Sequence, residues 1–132
     1  ALPPTGNTQG AAVNPLIMET VRQARAVAEQ NLPRIIGSGV KYSLGTDSMH
    51  GLMHFELACL VRFGATPREA LLAATARAAD VCQLPDQVGT LEAGKKADII
   101  SVRGNPLEDI TVMRSVSLVM KGGERFDQLS DR

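Results

Sequence analysis

The apolar positions near the start of the chain recur with the period of an α-helix. Between residues 16 and 31 they follow spacings of four and three residues, which places them on one helix face. These positions are Ile17, Val21, Ala24 and Ala28. Asn14 and Pro15 precede them as N-cap and first helical position, because proline has no amide hydrogen to leave unpaired there. The pattern predicts an amphipathic helix from Pro15 to about Asn31, after a loop over residues 1–13.

The next segment has the composition of a short strand between turns. Gly-Ser-Gly at residues 37–39 breaks the helical pattern, and the residues that follow are partly β-branched and aromatic. The polar turn Gly45-Thr46-Asp47-Ser48 comes next. We therefore expect a strand over Val40–Leu44 that ends shortly before Asp47.

Two more helices are predicted after this turn. The first runs from Leu52 to Phe63 and stops at Gly64, a residue type favoured directly after a helix end. The second starts at Thr66-Pro67-Arg68-Glu69, which has the spacing of a capping box with proline at the first helical position. Its inward positions, most of them small, are Ala70, Leu71, Ala74 and Ala78.

Alternating and β-branched residues in the last third predict two hairpins. In the first, Gly89–Leu91 and residues 97–102 flank a glycine-containing turn. In the second, residues 116–121 turn at Gly122-Gly123 and continue at residues 124–126. The predicted order is helix, strand, two helices and hairpins, and the lone strand has no ladder partner of its own. This order is that of a segment of a larger α/β fold.

The composition fits a globular domain and excludes several partner classes. The chain has 132 residues, 44% hydrophobic and 21% charged, which excludes disorder and collagen-like fibre. Lys and Arg balance Asp and Glu at 14 each, and only 3% of the residues are aromatic, so no nucleic-acid partner is expected. No apolar run reaches the ~18 residues of a membrane helix, so no membrane partner is expected. Cys59 and Cys82 are expected to be free, mostly buried thiols.

Asp47 and two histidines carry the candidate chemistry. Asp47 follows the C-terminal end of the predicted strand, where active-site groups lie in parallel α/β barrels. On this pattern alone, an aspartate more often caps a turn or the next helix. His50 and His54 are four residues apart, but Gly51 lies between them and no third ligand accompanies them, so they make a weak metal site. We expect His50 to face a substrate from the loop, and His54 to be either a helix-surface residue or a packing residue.

Several short motifs occur in a fixed order over most of the chain. They are Gly39-Val40, Leu44-Gly45-Thr46-Asp47-Ser48, His50-Gly51 with Glu56-Leu57, residues 64–71, residues 89–98, residues 105–109 and residues 119–123. The series covers roughly residues 14 to 126 and resembles the metal-dependent amidohydrolases. Within that family it is most similar to the imidazolonepropionase-like and Xaa-Pro dipeptidase (prolidase-like) branch.

The resemblance implies a C-terminal fragment of a (β/α)8 TIM-barrel metallohydrolase together with part of its small β-sandwich domain. Residues 1–86 would be the last helix–strand–helix units of the barrel, and residues 87–132 the C-terminal part of the sandwich. The last barrel strand would lie at residues 40–46. A complete barrel needs at least about 200 residues, so the chain is expected to be part of a longer one.

The resemblance also implies hydrolysis of a C–N bond in a peptide, amide or cyclic amide. In this family one or two divalent metals, usually zinc, activate the attacking water. By position, Asp47 would be the metal ligand and the catalytic proton shuttle, and His50 would lie near the substrate. The other metal ligands of the family are missing from these residues, so the isolated chain is expected to be inactive and need hold no metal.

A second interpretation is a non-catalytic, stand-alone fragment that self-associates or docks on a partner to cover its incomplete fold. For the complete enzyme, the expected partner is a small amide or peptide substrate. For this chain alone, it is a second copy or the missing N-terminal part of the barrel. The compartment stays open, with the cytoplasm favoured, because any signal peptide would precede residue 1.

Overall fold

The computed structural model describes residues 15–46 and 51–126 of the chain. Four helices come first and a small sheet follows. The elements are α1 (Pro15–Gly37), α2 (Met53–Arg62), α3 (Pro67–Ala74), α4 (Ala76–Val81), β1 (Ile99–Val102), a 3₁₀ helix (Ile110–Arg114), β2 (Val116–Lys121) and β3 (Glu124–Phe126). Within the described ranges, no helix is both long enough and apolar enough to cross a membrane.

Helix α1 begins at Pro15 as predicted and continues past Asn31, through Pro33, to Gly37. Its predicted apolar face is formed but not covered. Ile17 and Val21 are each 56% exposed, and α1 has no buried residue. The amphipathic pattern therefore predicted the helix correctly, while the described residues provide no partner for its apolar face.

The strand predicted at Val40–Leu44 is absent from the described structure. A strand needs a ladder of backbone hydrogen bonds. Here one backbone bond ties the segment to the helices, from the Leu44 N–H to the Ala73 carbonyl oxygen at 3.0 Å. The alternation of exposed and half-buried residues that is typical of a strand is nevertheless present. Even-numbered residues from Tyr42 to Thr46 are half-buried, and the odd-numbered residues between them are exposed.

The C-terminal end of α2 and the start of α3 are those that the sequence predicts. Phe63 caps the C-terminus of α2, and Gly64 follows with a φ of 106°. The capping box of α3 is complete. The Glu69 N–H donates to the Thr66 hydroxyl oxygen at 3.2 Å, and the Thr66 N–H donates to the Glu69 carboxylate at 2.9 Å. Such a cap contributes on the order of 1 kcal/mol to helix stability.

The single long helix predicted after Thr66 is broken in two at Thr75. Thr75 has φ −123° and ψ −93°, outside the helical region. Its hydroxyl donates to the Leu71 carbonyl oxygen at 2.7 Å, one turn back in α3. Side-chain bonds of this kind compete with the regular helix pattern and bend it. The chain resumes as α4 at Ala76.

The sheet confirms one predicted hairpin and corrects the other. Strands β2 and β3 pair antiparallel across Gly122 and Gly123, whose φ values are 59° and 88°. Two positive φ angles in a two-residue turn match the twist of a hairpin. The prediction of a hairpin between Gly89–Leu91 and residues 97–102 is wrong. Strand β1 pairs instead with β2, and Ile99 lies opposite Met120. The residues before β1 form turns rather than a strand. Across these turns, the Lys96 N–H donates to the Gln87 carbonyl oxygen at 2.8 Å.

The small core lies where α2, α3 and the 3₁₀ helix meet. Leu57, Ala70 and Ile110 are buried together. Half-buried apolar residues around them include Leu44, Met53, Leu60, Leu71 and Met113. Ile110 belongs to the predicted second region, residues 87–132, so the two predicted regions share this core. The assignment of the second region to a β-sandwich domain stays a prediction.

The two cysteines are free, as expected, but only one is partly covered. Cys59 is half-buried on α2, and this burial, with the nearby Glu56 carboxylate, raises the pKa of its thiol. Cys82 is exposed just after α4. The prediction that it is buried is therefore wrong, because Cys82 is the C-cap residue of α4 and lies in an exposed stretch, residues 81–87.

Candidate functional site

Asp47 and His50, the two predicted site residues, lie outside the described residues. Their roles as metal ligand, proton shuttle and substrate contact therefore stay predictions. The structure does describe the segment that leads into them, up to Thr46, and the helix that follows from Gly51 onward.

The segment before Asp47 lies on the helical layer with one face packed and one face open. Leu44 packs against the core formed by Leu57, Ala70 and Ile110. Ser43 and Gly45, between the half-buried residues, are exposed. Successive side chains of an extended chain point to opposite faces. The segment thus has an uncovered face. Its odd-numbered residues lie on this face, away from the helices.

The end of α3 holds this segment in place. Ala73 is fully buried, and its carbonyl oxygen accepts the Leu44 N–H. The last four carbonyls of a helix have no partner within it. Because the helix stops at Thr75, the Ala73 carbonyl is free to accept a bond from outside α3. Sequence analysis placed the start of α3 correctly but missed Ala73 as an anchor, since nothing local to it signals the contact.

Tyr42 provides a second attachment to the helices. The Arg77 guanidinium carbon lies 5.3 Å from the centre of the Tyr42 ring, a cation–π contact. The Tyr42 hydroxyl is buried and has no hydrogen-bond partner among the described residues. A buried hydroxyl without a partner costs about 1–3 kcal/mol. The pair joins the start of the segment to α4, a contact that sequence reasoning also missed.

The helix after the candidate loop begins without a side-chain cap. Gly51 has a φ of 82°, and Leu52 is the N-cap of α2. His54 lies half-buried in the first turn of α2, as expected for a packing residue. A pairing of His54 with His50 in a metal site involves a residue outside the described ranges, so the structure does not test it.

Metal-ligating side chains do not gather anywhere in the described ranges. There, no group of three or more His, Cys, Asp or Glu residues could hold a metal ion. A zinc site takes about four ligands. The described residues therefore do not form a complete metal site by themselves.

An apolar groove of about 560 Å³ lies between α4 and β1. Its lining includes Ala78, Cys82, Leu84, Leu91 and Ile100. None of residues 40–46 lines it. The groove is thus separate from residues 40–46, and its mostly apolar lining includes the charged residues Lys96 and Asp98.

Comparisons with known proteins cover most of the chain. The family model described as "Amidohydrolase family" matches residues 17–126. An ochratoxinase from Aspergillus niger is 37% identical over 121 residues, which is 84% of this chain and 25% of the relative. An imidazolonepropionase from Geobacillus kaustophilus is 42% identical over 74 residues, 51% of this chain and 17% of the relative. The chain thus spans about a quarter or less of these curated relatives.

Solved structures give the same result for the fold. A Xaa-Pro dipeptidase, solved with methionine bound in its active site, superimposes with a TM-score of 0.71. It is 35% identical in sequence, and the match covers 74% of this chain and 25% of that chain. The packing of helices and sheet described above is therefore one that a longer enzyme also contains.

Proposed function

Because the chain belongs to the amidohydrolase family, we propose that it is the C-terminal part of a metal-dependent hydrolase of C–N bonds. The family match confirms the resemblance found in the sequence motifs, including its imidazolonepropionase-like and Xaa-Pro dipeptidase branch. The similar proteins are different hydrolases: an ochratoxinase, an imidazolonepropionase and a Xaa-Pro dipeptidase. The proposed substrate class is therefore broad: a peptide, an amide or a cyclic amide.

We propose that residues 1–86 complete a TIM barrel and that residues 87–132 belong to its small β-sandwich. Two described surfaces support the barrel. The apolar face of α1 is exposed, with Ile17 and Val21 each 56% accessible. The segment at residues 40–46 has the alternation of a strand but no ladder. Neighbouring barrel strands and helices would cover both. The antiparallel sheet β1–β2–β3 supports the sandwich.

Asp47 is proposed as the metal ligand and catalytic residue. The observation that carries this proposal is the alternation before it, with Ser43 and Gly45 on the open face. Asp47 is the next odd-numbered residue, and it follows the segment at the end where barrel active sites lie. A carboxylate there can bind a divalent metal, accept a proton from the attacking water and pass it to the leaving nitrogen.

One or two divalent metals, usually zinc, are proposed as the cofactor. Such a metal lowers the pKa of water and polarises the bond to be cleaved. Since the described residues hold no cluster of ligands, the remaining ligands must come from other parts of the protein. His50 is proposed to contact the substrate, because it follows Asp47 within the same short loop.

Two substitutions in the natural full-length protein test these roles. Asp47→Asn should remove most of the bound metal and lower kcat by a factor of about 100 or more, as expected for loss of a ligand and proton shuttle. His50→Ala should keep the metal and raise KM about tenfold, the effect of one lost hydrogen bond to the substrate. Elemental analysis and steady-state kinetics provide both readouts.

The control is Asp86→Asn, an exposed carboxylate that follows α4. It should behave as the unmodified protein in both measurements. Full metal content in the Asp47→Asn variant would refute the assignment of Asp47. Loss of metal in the His50→Ala variant would make His50 a ligand rather than a substrate contact.

The exposed apolar surface also favours a second candidate, a non-catalytic chain that self-associates. Leu16, at 73%, and Leu91, at 80%, are among the most exposed large apolar side chains. A chain that functioned alone would bury such residues against a second copy. Light scattering distinguishes the two candidate functions. Only the non-catalytic candidate predicts a metal-free homo-oligomer of 14.0 kDa chains.

A further inference from the structure

We draw no further inference here: the strongest candidate, the apolar groove of about 560 Å³ between α4 and β1, carries no proposal because nothing in the described structure shows what covers it.

Discussion

Leu57 is the largest fully buried side chain of the described residues, at 1% exposure. It lies between Ala70 of α3 and Ile110 of the 3₁₀ helix. Because this core is small, a single side chain contributes much of the packing that joins α2 to its neighbours. The segment leading into Asp47 depends on the same core through Leu44.

Leu57→Ala should therefore lower the free energy of unfolding by about 2–5 kcal/mol, through lost burial and the cavity it leaves. Leu107→Ala is the matched control, because Leu107 is 55% exposed and its truncation should change stability by no more than about 0.5 kcal/mol. Urea unfolding measures both. Equal effects of the two substitutions would contradict the position of the core.

The individual site residues could be predicted from the sequence only where a pattern singles them out. Asp47 stands at the end of a strand-like segment within a recognisable motif, so it could be named. Tyr42 and Arg77 are 35 positions apart in the sequence, and nothing in either neighbourhood indicates their contact.

Elements defined by local signals were predicted well, and those defined by distant contacts were not. The capping box fixed the start of α3, and the two glycines fixed the turn between β2 and β3. The pairing of β1 with β2 spans the 3₁₀ helix and could not be read from a turn. The break at Thr75 arises from one side-chain bond that helix periodicity does not reveal.

Asp98 stabilises the sheet in a pH-dependent way. Its carboxylate accepts bonds from the Lys121 ammonium and the Gly122 N–H, which hold the pKa of Asp98 below its usual value. A carboxyl with a lowered pKa in the folded state contributes stability that is present above its unfolded pKa. That contribution is lost as the pH falls through the lower folded value.

Asp98→Asn should thus be less stable than the unmodified protein at pH 7, and the difference should shrink as the pH falls through the lowered pKa of Asp98, where the unmodified carboxyl becomes protonated. Urea midpoints at several pH values give the comparison, and 1 M salt should reduce the difference at pH 7. Asp86→Asn, with no such partners in the described structure, is the control. A stability difference that does not shrink on acidification would contradict this role of Asp98.

The described part of the molecule has little core for its amount of apolar sequence. Of the described residues, six hydrophobic side chains are buried, while long apolar residues such as Leu16 and Ile17 of α1 are exposed. The sequence allowed the element order and the family to be recognised. It could not show which faces remain open, because that depends on the packing of the entire chain. These open faces, and the greater length of the relatives, are the main support for a larger enzyme.

The intact mass and metal content of the protein isolated from its natural source test the central claim most directly. We predict a chain much longer than 132 residues that carries one or two divalent metal ions. The other ligands and the cover for α1 would then come from that same chain. A metal-free protein with a mass of 14.0 kDa would contradict the proposed hydrolase.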